Sequence, residues 1–193
     1  MNDMRSASVV MALLLGSAGC GAARPVGPVV PDVPLVEPQG ATIDVHQLIG
    51  RAPLTVFVFF SRACHCLNKH DPRILALYDA YRERGVQLVM VDSEVRGSPE
   101  GDAEEAKRRS YPFPILIDRQ GKLAEALRAE YATYSVVVDA KGQVRYHGGF
   151  DSDKTHLRDD AIPYVKNALD DLLAGKEPRQ AEAKTLGCAL ETW

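Results

Sequence analysis

One stretch, residues 54–85, constrains the fold of this 193-residue chain more than any other. It begins with the continuous apolar and β-branched run Leu54–Phe60, which is typical of a strand buried on both faces of a sheet. Two cysteines separated by one residue, Cys64 and Cys66, follow directly. Apolar residues then recur at helical spacing as far as about Arg84. We therefore predict a buried strand that delivers two thiols to the first turn of a helix.

The position of these cysteines at a helix N-terminus indicates reactive thiols. Thiolate is the nucleophilic and metal-binding form of cysteine, and the unpaired backbone amides at a helix N-terminus favour that anion. Arg62, His65 and Lys69 add positive or potentially positive charge nearby. Free cysteine is also a common buried structural residue. Two cysteines that flank a histidine at such a corner nevertheless favour thiol chemistry.

The rest of the chain alternates between short apolar runs and amphipathic helices. Two strands joined by a helix predict a parallel pair, and the turn Asp139–Gly142 predicts an antiparallel hairpin. We therefore expect an α/β fold with three layers, in which a mixed central sheet lies between helices. The further predicted strands are 42–45, 86–91, 115–117, 135–139 and 143–147, and the predicted helices are 100–109, 121–131 and one that ends at Gly175.

The first residues have the pattern of a targeting segment. Arg5 provides a positive start, Val9–Leu15 form a short apolar core, and small residues precede Cys20. This arrangement resembles the lipobox of bacterial lipoproteins, which implies a signal peptide at 1–19, cleavage before Cys20 and lipidation of its thiol. An ordinary secretory signal cut near Ala22 or Ala23 is the alternative. Both interpretations place the mature protein outside the cytoplasm, where disulfides persist.

The segment 20–40 contains five prolines and few residues to bury. Such a composition predicts an extended tether that holds a domain away from a membrane surface. We therefore expect a folded domain at 41–193, anchored to a membrane on its periplasmic side through the lipid on Cys20. A net charge of −3 and the lack of a basic stripe argue against a nucleic-acid partner.

From Ala41 onward the chain resembles the thioredoxin-fold superfamily, and in particular its redoxin branch of peroxiredoxin-like (AhpC/TSA-like) and thiol-disulfide exchange proteins. The unit of strand, cysteines and helix carries part of the likeness. The Gly187-Cys188 motif after the last helix is similar to the tail of one redoxin group. The resemblance implies a thioredoxin-like fold and an oxidoreductase without a bound cofactor. The other motifs that carry it are YPFPILID at 111–118, VVVDAKGQV at 136–144, YHGG at 146–149 and ALDDLLAGK at 168–176.

Two features depart from the thioredoxin pattern. The motif of thioredoxin-type proteins is Cys-x-x-Cys, whereas here a single residue separates Cys64 from Cys66. Those proteins also place a cis-proline just before the strand that faces the active site. The corresponding segment here, Ala132–Tyr134, contains no proline. Thr133 is our candidate for the residue that faces the thiols instead.

The sequence leaves open which cysteine pairs with Cys64. Side chains two residues apart in a regular helix point to nearly opposite sides, so a bond to Cys66 requires the first turn to loosen. Such a bond would be strained and easily reduced. Cys188 would avoid the strain by reaching back from the tail, as resolving cysteines of redoxins do. Cys188 could equally hold the tail through a structural disulfide, or stay buried and free.

Two functions are compatible with these residues. We first predict a thiol-dependent oxidoreductase: Cys64 attacks a protein disulfide or a peroxide, Cys66 or Cys188 resolves the intermediate, and an external thiol reductant restores the dithiol. The alternative is a chaperone-like protein that binds copper as Cu(I) through Cys64, Cys66 and His70, because soft thiolates suit Cu(I). His70 lies on the helical face of Cys66, where it would equally serve as a polar residue on an exposed surface.

Overall fold

The structure is a computed structural model that describes residues 28–193. The predicted signal peptide and the predicted lipidation site at Cys20 lie outside these residues. Over 28–193, no helix combines the length and the apolar character that crossing a bilayer requires. The strands are β1 (Pro34–Val36), β2 (Thr42–Asp44), β3 (Leu54–Phe60), β4 (Val86–Asp92), β5 (Ile115–Ile117), β6 (Tyr134–Asp139) and β7 (Val144–Gly149). The helices are α1 (Val45–Ile49), α2 (His65–Tyr81), α3 (Pro99–Arg108), α4 (Lys122–Leu127) and α5 (Tyr164–Leu173).

The strands form one mixed sheet in the order β2-β1-β5-β4-β3-β6-β7. The central strands β3, β4 and β5 are parallel, with α2 and α3 as the crossover connections that parallel strands need. On one side β6 pairs antiparallel with β3, and β7 pairs antiparallel with β6. On the other side β1 pairs antiparallel with β5, and β2 pairs antiparallel with β1. This arrangement confirms the predicted mixed sheet.

Each face of the sheet has its own apolar core, because successive side chains of a strand point to opposite faces. Within β3, Val56, Val58 and Phe60 enter the core that α2 and α5 cover. Phe57 and Phe59 enter the core that α1 and α4 cover. The fully buried β3 therefore lies between two helical layers, which confirms the three-layer α/β prediction.

The folded domain begins earlier than predicted, and the expectation of a tether over 20–40 is wrong for its second half. Val30 and Leu35 are fully buried, and the N–H of Val30 donates to the carbonyl of Gly142 at 2.8 Å. β1 starts at Pro34 and pairs with β2 and β5. A proline is tolerated as the first residue of a strand. The apolar residues between the prolines therefore supply buried surface, which composition alone does not reveal.

Candidate active site

Cys64 occupies the corner between β3 and α2, as predicted. It is the N-cap residue of α2, with an extended backbone (φ −74°, ψ 107°), and lies four residues after Phe60. Its Sγ accepts the backbone N–H of Leu67 at 3.4 Å, and its side chain is buried. A thiolate at this position gains from that hydrogen bond and from the positive end of the helix dipole.

The structure pairs Cys64 with Cys188 in a disulfide, with a Cα–Cα distance of 5.6 Å. Cys66 is the free cysteine of the described chain and is buried. Cys66 is the second residue of α2, so its side chain leaves the helix on a different side from that of the N-cap residue. Of the two pairings that the sequence left open, the structure therefore contains the bond between Cys64 and Cys188.

Backbone contacts hold the tail that carries Cys188. The Cys188 carbonyl accepts the N–H of Ala132 at 2.9 Å, and the N–H of Leu190 donates to the Glu130 carbonyl at 2.9 Å. A Cβ on Gly187 would overlap the carbonyl oxygen of Ala132. Glycine is needed here because only a residue without a side chain permits this close backbone approach.

Thr133 lies against the same tail segment. Its φ of 71° is in the left-handed region, which is uncommon for a β-branched residue, and its N–H donates to the Phe59 carbonyl at 2.9 Å. The Thr133 Oγ1 lies 3.2 Å from the position of a Cβ on Gly187. The residue that we expected to face the thiols thus contacts the segment next to Cys188.

Three sulfur atoms converge at this corner. The Sγ of Cys66 lies 3.6 Å from the Sγ of Cys188. The Sγ atoms of Cys64, Cys66 and Cys188 all lie within 4.8 Å of one another. The Cys66 thiol is therefore close to the Cys64–Cys188 disulfide without being part of it.

His70 is buried, with 1% of its surface exposed, and does not lie on an exposed helix face. Its Nδ1 contacts the carbonyl oxygen of Cys66 at 2.8 Å, and its Nε2 contacts Oδ1 of Asp151 at 3.0 Å. Both ring nitrogens are thus occupied, and the ligand atoms that cluster with the sulfurs of Cys64 and Cys66 do not include those of His70. The reason is Asp151, a carboxylate from the loop after β7 that is too distant in sequence to be paired with His70 from a helical pattern.

Asp151 links His70 to further charges. Its Oδ2 accepts a hydrogen bond from Arg73 at 2.6 Å, and Arg73 also binds Asp153 at 2.9 Å. Burial lowers the pKa of His70, but the hydrogen bonds to Asp151 and to the Cys66 carbonyl, with the charge of Asp151, raise it above its ordinary value. The contribution of His70 to stability is therefore fully present below the ordinary histidine pKa and is lost as pH rises through the raised pKa.

A cavity of about 430 Å³ lies beside the disulfide, and both Cys64 and Cys188 line it. Its wall also includes Asp92, which is 2% exposed at the C-terminal end of β4. Asp92 faces a second buried carboxylate, Asp102 on α3, whose Oδ1 accepts a hydrogen bond from Arg62 at 3.0 Å. Neither carboxylate was a candidate from the sequence, where the one signal is that Asp92 ends a buried strand.

Asp92 should make the stability of the fold depend on pH. Burial, with the neighbouring charge of Asp102, raises the pKa of Asp92 to about 8. An unfolded chain ionises this group near its ordinary pKa of about 3.9. The folded state therefore holds the proton to higher pH, and stability falls as pH rises from about 4 to about 8.

We expect Asp92→Asn to remove this decrease in stability with rising pH. Asparagine keeps an acceptor for the N–H of Glu94, which Asp92 binds at 2.8 Å, but it cannot ionise. At about pH 8 the variant should be more stable than the parent by on the order of several kcal/mol, with a smaller difference at about pH 5. Denaturant unfolding at both pH values measures the difference. An equal difference at the two pH values would contradict the assignment.

The chain is similar in sequence to known proteins. Residues 26–147 match the AhpC/TSA family. The thiol-disulfide oxidoreductase ResA of Geobacillus kaustophilus is 29% identical over 122 residues, which cover 62% of this chain and 67% of ResA. The thiol-disulfide oxidoreductase YkuV of Bacillus subtilis is 31% identical over 102 residues, which cover 52% of this chain and 68% of YkuV.

Solved structures share the fold. A hypothetical protein of Sinorhizobium meliloti, SMc02350, has a TM-score of 0.78 at 21% identity, over 89% of this chain and 97% of that chain. An uncharacterized conserved protein of Geobacillus kaustophilus has a TM-score of 0.77 at 24% identity, over 88% of this chain and 92% of that chain. The family match extends over more than half of the chain. Together with the thiol corner and the sheet that supports it, this match makes the chain a member of the AhpC/TSA family.

Proposed function

We propose that this protein is a thiol-disulfide oxidoreductase whose working pair is Cys64 and Cys188. The observation that carries the proposal is the disulfide between them at the N-terminus of α2, beside a cavity that both residues line. The relatives named thiol-disulfide oxidoreductases support this reaction class. Their names also favour disulfides over peroxides as the substrates.

The exchange consists of two displacements. The Cys64 thiolate attacks one sulfur of a substrate disulfide, which forms a mixed disulfide and releases the other substrate sulfur as a thiolate. The Cys188 thiolate then attacks the Sγ of Cys64, forms the Cys64–Cys188 disulfide and releases the second substrate thiolate. Two electrons pass from the protein to the substrate. An external thiol reductant returns both cysteines to thiols by the same exchange in reverse.

Cys188→Ser should stop the reaction after the first displacement. With the resolving thiol absent, the mixed disulfide between Cys64 and the substrate should accumulate, because Cys66 pairs with Cys64 only if the first turn of α2 loosens. The reduced variant is mixed with a peptide that contains one internal disulfide, and the products are measured by non-reducing electrophoresis and mass spectrometry. The matched control, Cys66→Ser, should accumulate no adduct. Accumulation in Cys66→Ser and not in Cys188→Ser would identify Cys66 as the resolving cysteine and refute the proposed pair.

We further propose that the protein works outside the cytoplasm, anchored to a membrane by a lipid on Cys20. The support is the targeting pattern at 1–19 and a disulfide of a kind that persists in oxidising compartments. Fractionation of bacteria that express the full chain tests the anchor. The parent protein should sediment with membranes, and Cys20→Ser should not. A parent protein found with the cytoplasmic fraction would refute this location.

A further inference from the structure

Cys66 has no part in the proposed exchange, yet its position is well defined. Its side chain is 3% exposed, and its Sγ lies 3.6 Å from the Sγ of Cys188. The three cysteine sulfurs of residues 28–193 lie within 4.8 Å of one another. The cluster joins the first turn of α2 to the tail, and it becomes a set of three thiols whenever the disulfide is reduced.

We propose that the reduced protein binds one Cu(I) ion in a three-coordinate site formed by Cys64, Cys66 and Cys188. Thiolates select soft cations such as Cu(I). Three sulfurs placed symmetrically around one ion at a metal–sulfur distance of about 2.3 Å lie about 4 Å apart. The Sγ of Cys66 already lies 3.6 Å from that of Cys188, and all three sulfurs lie within 4.8 Å of one another. Once reduction breaks the Cys64–Cys188 bond, those two sulfurs need to separate by only about 2 Å to reach this spacing.

The composition of the cluster favours Cu(I) over Zn²⁺. Structural zinc is almost always held by four ligands in a tetrahedron. Over residues 28–193 the cluster includes no fourth histidine, cysteine or carboxylate. His70, four residues after Cys66, has both ring nitrogens occupied by the Cys66 carbonyl and by Asp151.

The surroundings suit an anionic thiolate site. Cys64 and Cys66 are both nearly fully buried, so bulk water is excluded from two of the three ligands. The N–H of Leu67 donates to the Cys64 sulfur at 3.4 Å, and the N-terminus of α2 adds its positive dipole. These groups partly offset the negative charge of three thiolates around a monovalent cation.

Copper binding and disulfide formation exclude each other, because the disulfide occupies two of the three ligands. Binding replaces thiol protons with the cation and transfers no electrons, so the copper must arrive as Cu(I). The oxidised protein should not bind Cu(I), and bound Cu(I) should protect all three thiols from alkylation. The site depends on the approach of the three sulfurs and not on the proposed turnover of disulfides.

The test is an anaerobic titration of the full-length, fully reduced protein with Cu(I) in competition with a chromophoric Cu(I) chelator. The Cys20→Ser background removes the fourth thiol of the chain. We expect one Cu(I) per chain, no binding after oxidation of the Cys64–Cys188 pair, and at least about a 100-fold weaker affinity for Cys66→Ser. X-ray absorption should then report three sulfur ligands.

Disulfide exchange by the same Cys66→Ser protein shows whether that variant is folded and whether the proposed function holds. An active Cys66→Ser variant that binds Cu(I) as tightly as the reduced parent would overturn the three-thiolate site. Failure of the reduced parent to bind Cu(I) would do the same. Neither result would touch the exchange reaction, and a loss of exchange with intact copper binding would refute the proposed function alone.

Discussion

Cys64→Ser is expected to lower the rate of disulfide exchange by on the order of 10³-fold or more, because it removes the attacking sulfur itself. A serine hydroxyl at the N-cap of α2 still accepts the Leu67 N–H, so the fold should persist. The measurement is the rate of reduction of a protein disulfide by the variant in the presence of excess thiol reductant, compared with the parent.

Cys66→Ser is the matched control for this prediction. It makes the same change of sulfur to oxygen two residues away, in a side chain that is also buried. Its rate should stay within a few-fold of the parent, since Cys66 is outside the Cys64–Cys188 disulfide. If Cys66→Ser loses as much activity as Cys64→Ser, the two-cysteine cycle proposed here is wrong.

Asp151→Ala should destabilise the fold strongly. Asp151 is the buried partner of His70 and also binds Arg73, and the side chains of Asp151 and His70 are 2% and 1% exposed. Removing one member of a buried ion pair leaves an uncompensated charge and costs about 3–5 kcal/mol. Chemical denaturation near neutral pH measures this loss as a lower midpoint with an unchanged slope.

Asp160→Ala is the control for Asp151→Ala. Asp160 lies in the same loop region and contacts Arg158 at 3.8 Å, but its side chain is 82% exposed. Exposed ion pairs contribute about 0–1 kcal/mol, so this variant should unfold almost as the parent does. Equal losses of stability for the two variants would show that the His70–Asp151 pair stabilises the fold no more than an exposed ion pair does.

The same network has a structural role beside the thiols. His70 contacts the carbonyl of Cys66 in the first turn of α2 and Asp151 in the loop after β7. His70 therefore links the first turn of α2, which presents Cys64, to the loop after β7. This link explains why a polar side chain is buried next to the first turn of α2.

The sequence predicted correctly the parts of the fold that depend on local patterns. The apolar run 54–60 became the central strand, as predicted. Cys64 occupies a helix N-terminus because the apolar run ends just before it. The predicted redoxin family is confirmed by the match to AhpC/TSA, and the predicted reaction class is that of its relatives.

The errors and open choices concern contacts between residues far apart in the chain. No local sequence pattern indicates that His70 and Asp151 form a buried pair, or that Asp92 and Asp102 lie next to each other beside the cavity. The pairing of Cys64 with Cys188 spans 124 residues and depends on how the tail returns to the sheet. The prediction for the proline-rich segment was wrong for a related reason. Its few apolar residues are buried because β1 pairs with β5, which lies far away in the sequence.

The most direct test is a glutathione redox titration of the full-length protein, with alkylation and peptide mass mapping of each cysteine at every potential. We expect one disulfide, Cys64–Cys188, to form and break reversibly, while Cys66 stays a thiol throughout. A reversible Cys64–Cys66 bond would transfer the resolving role to Cys66. A Cys64–Cys188 bond that cannot be reduced in the folded protein would make it a structural link, which would contradict the proposed enzyme.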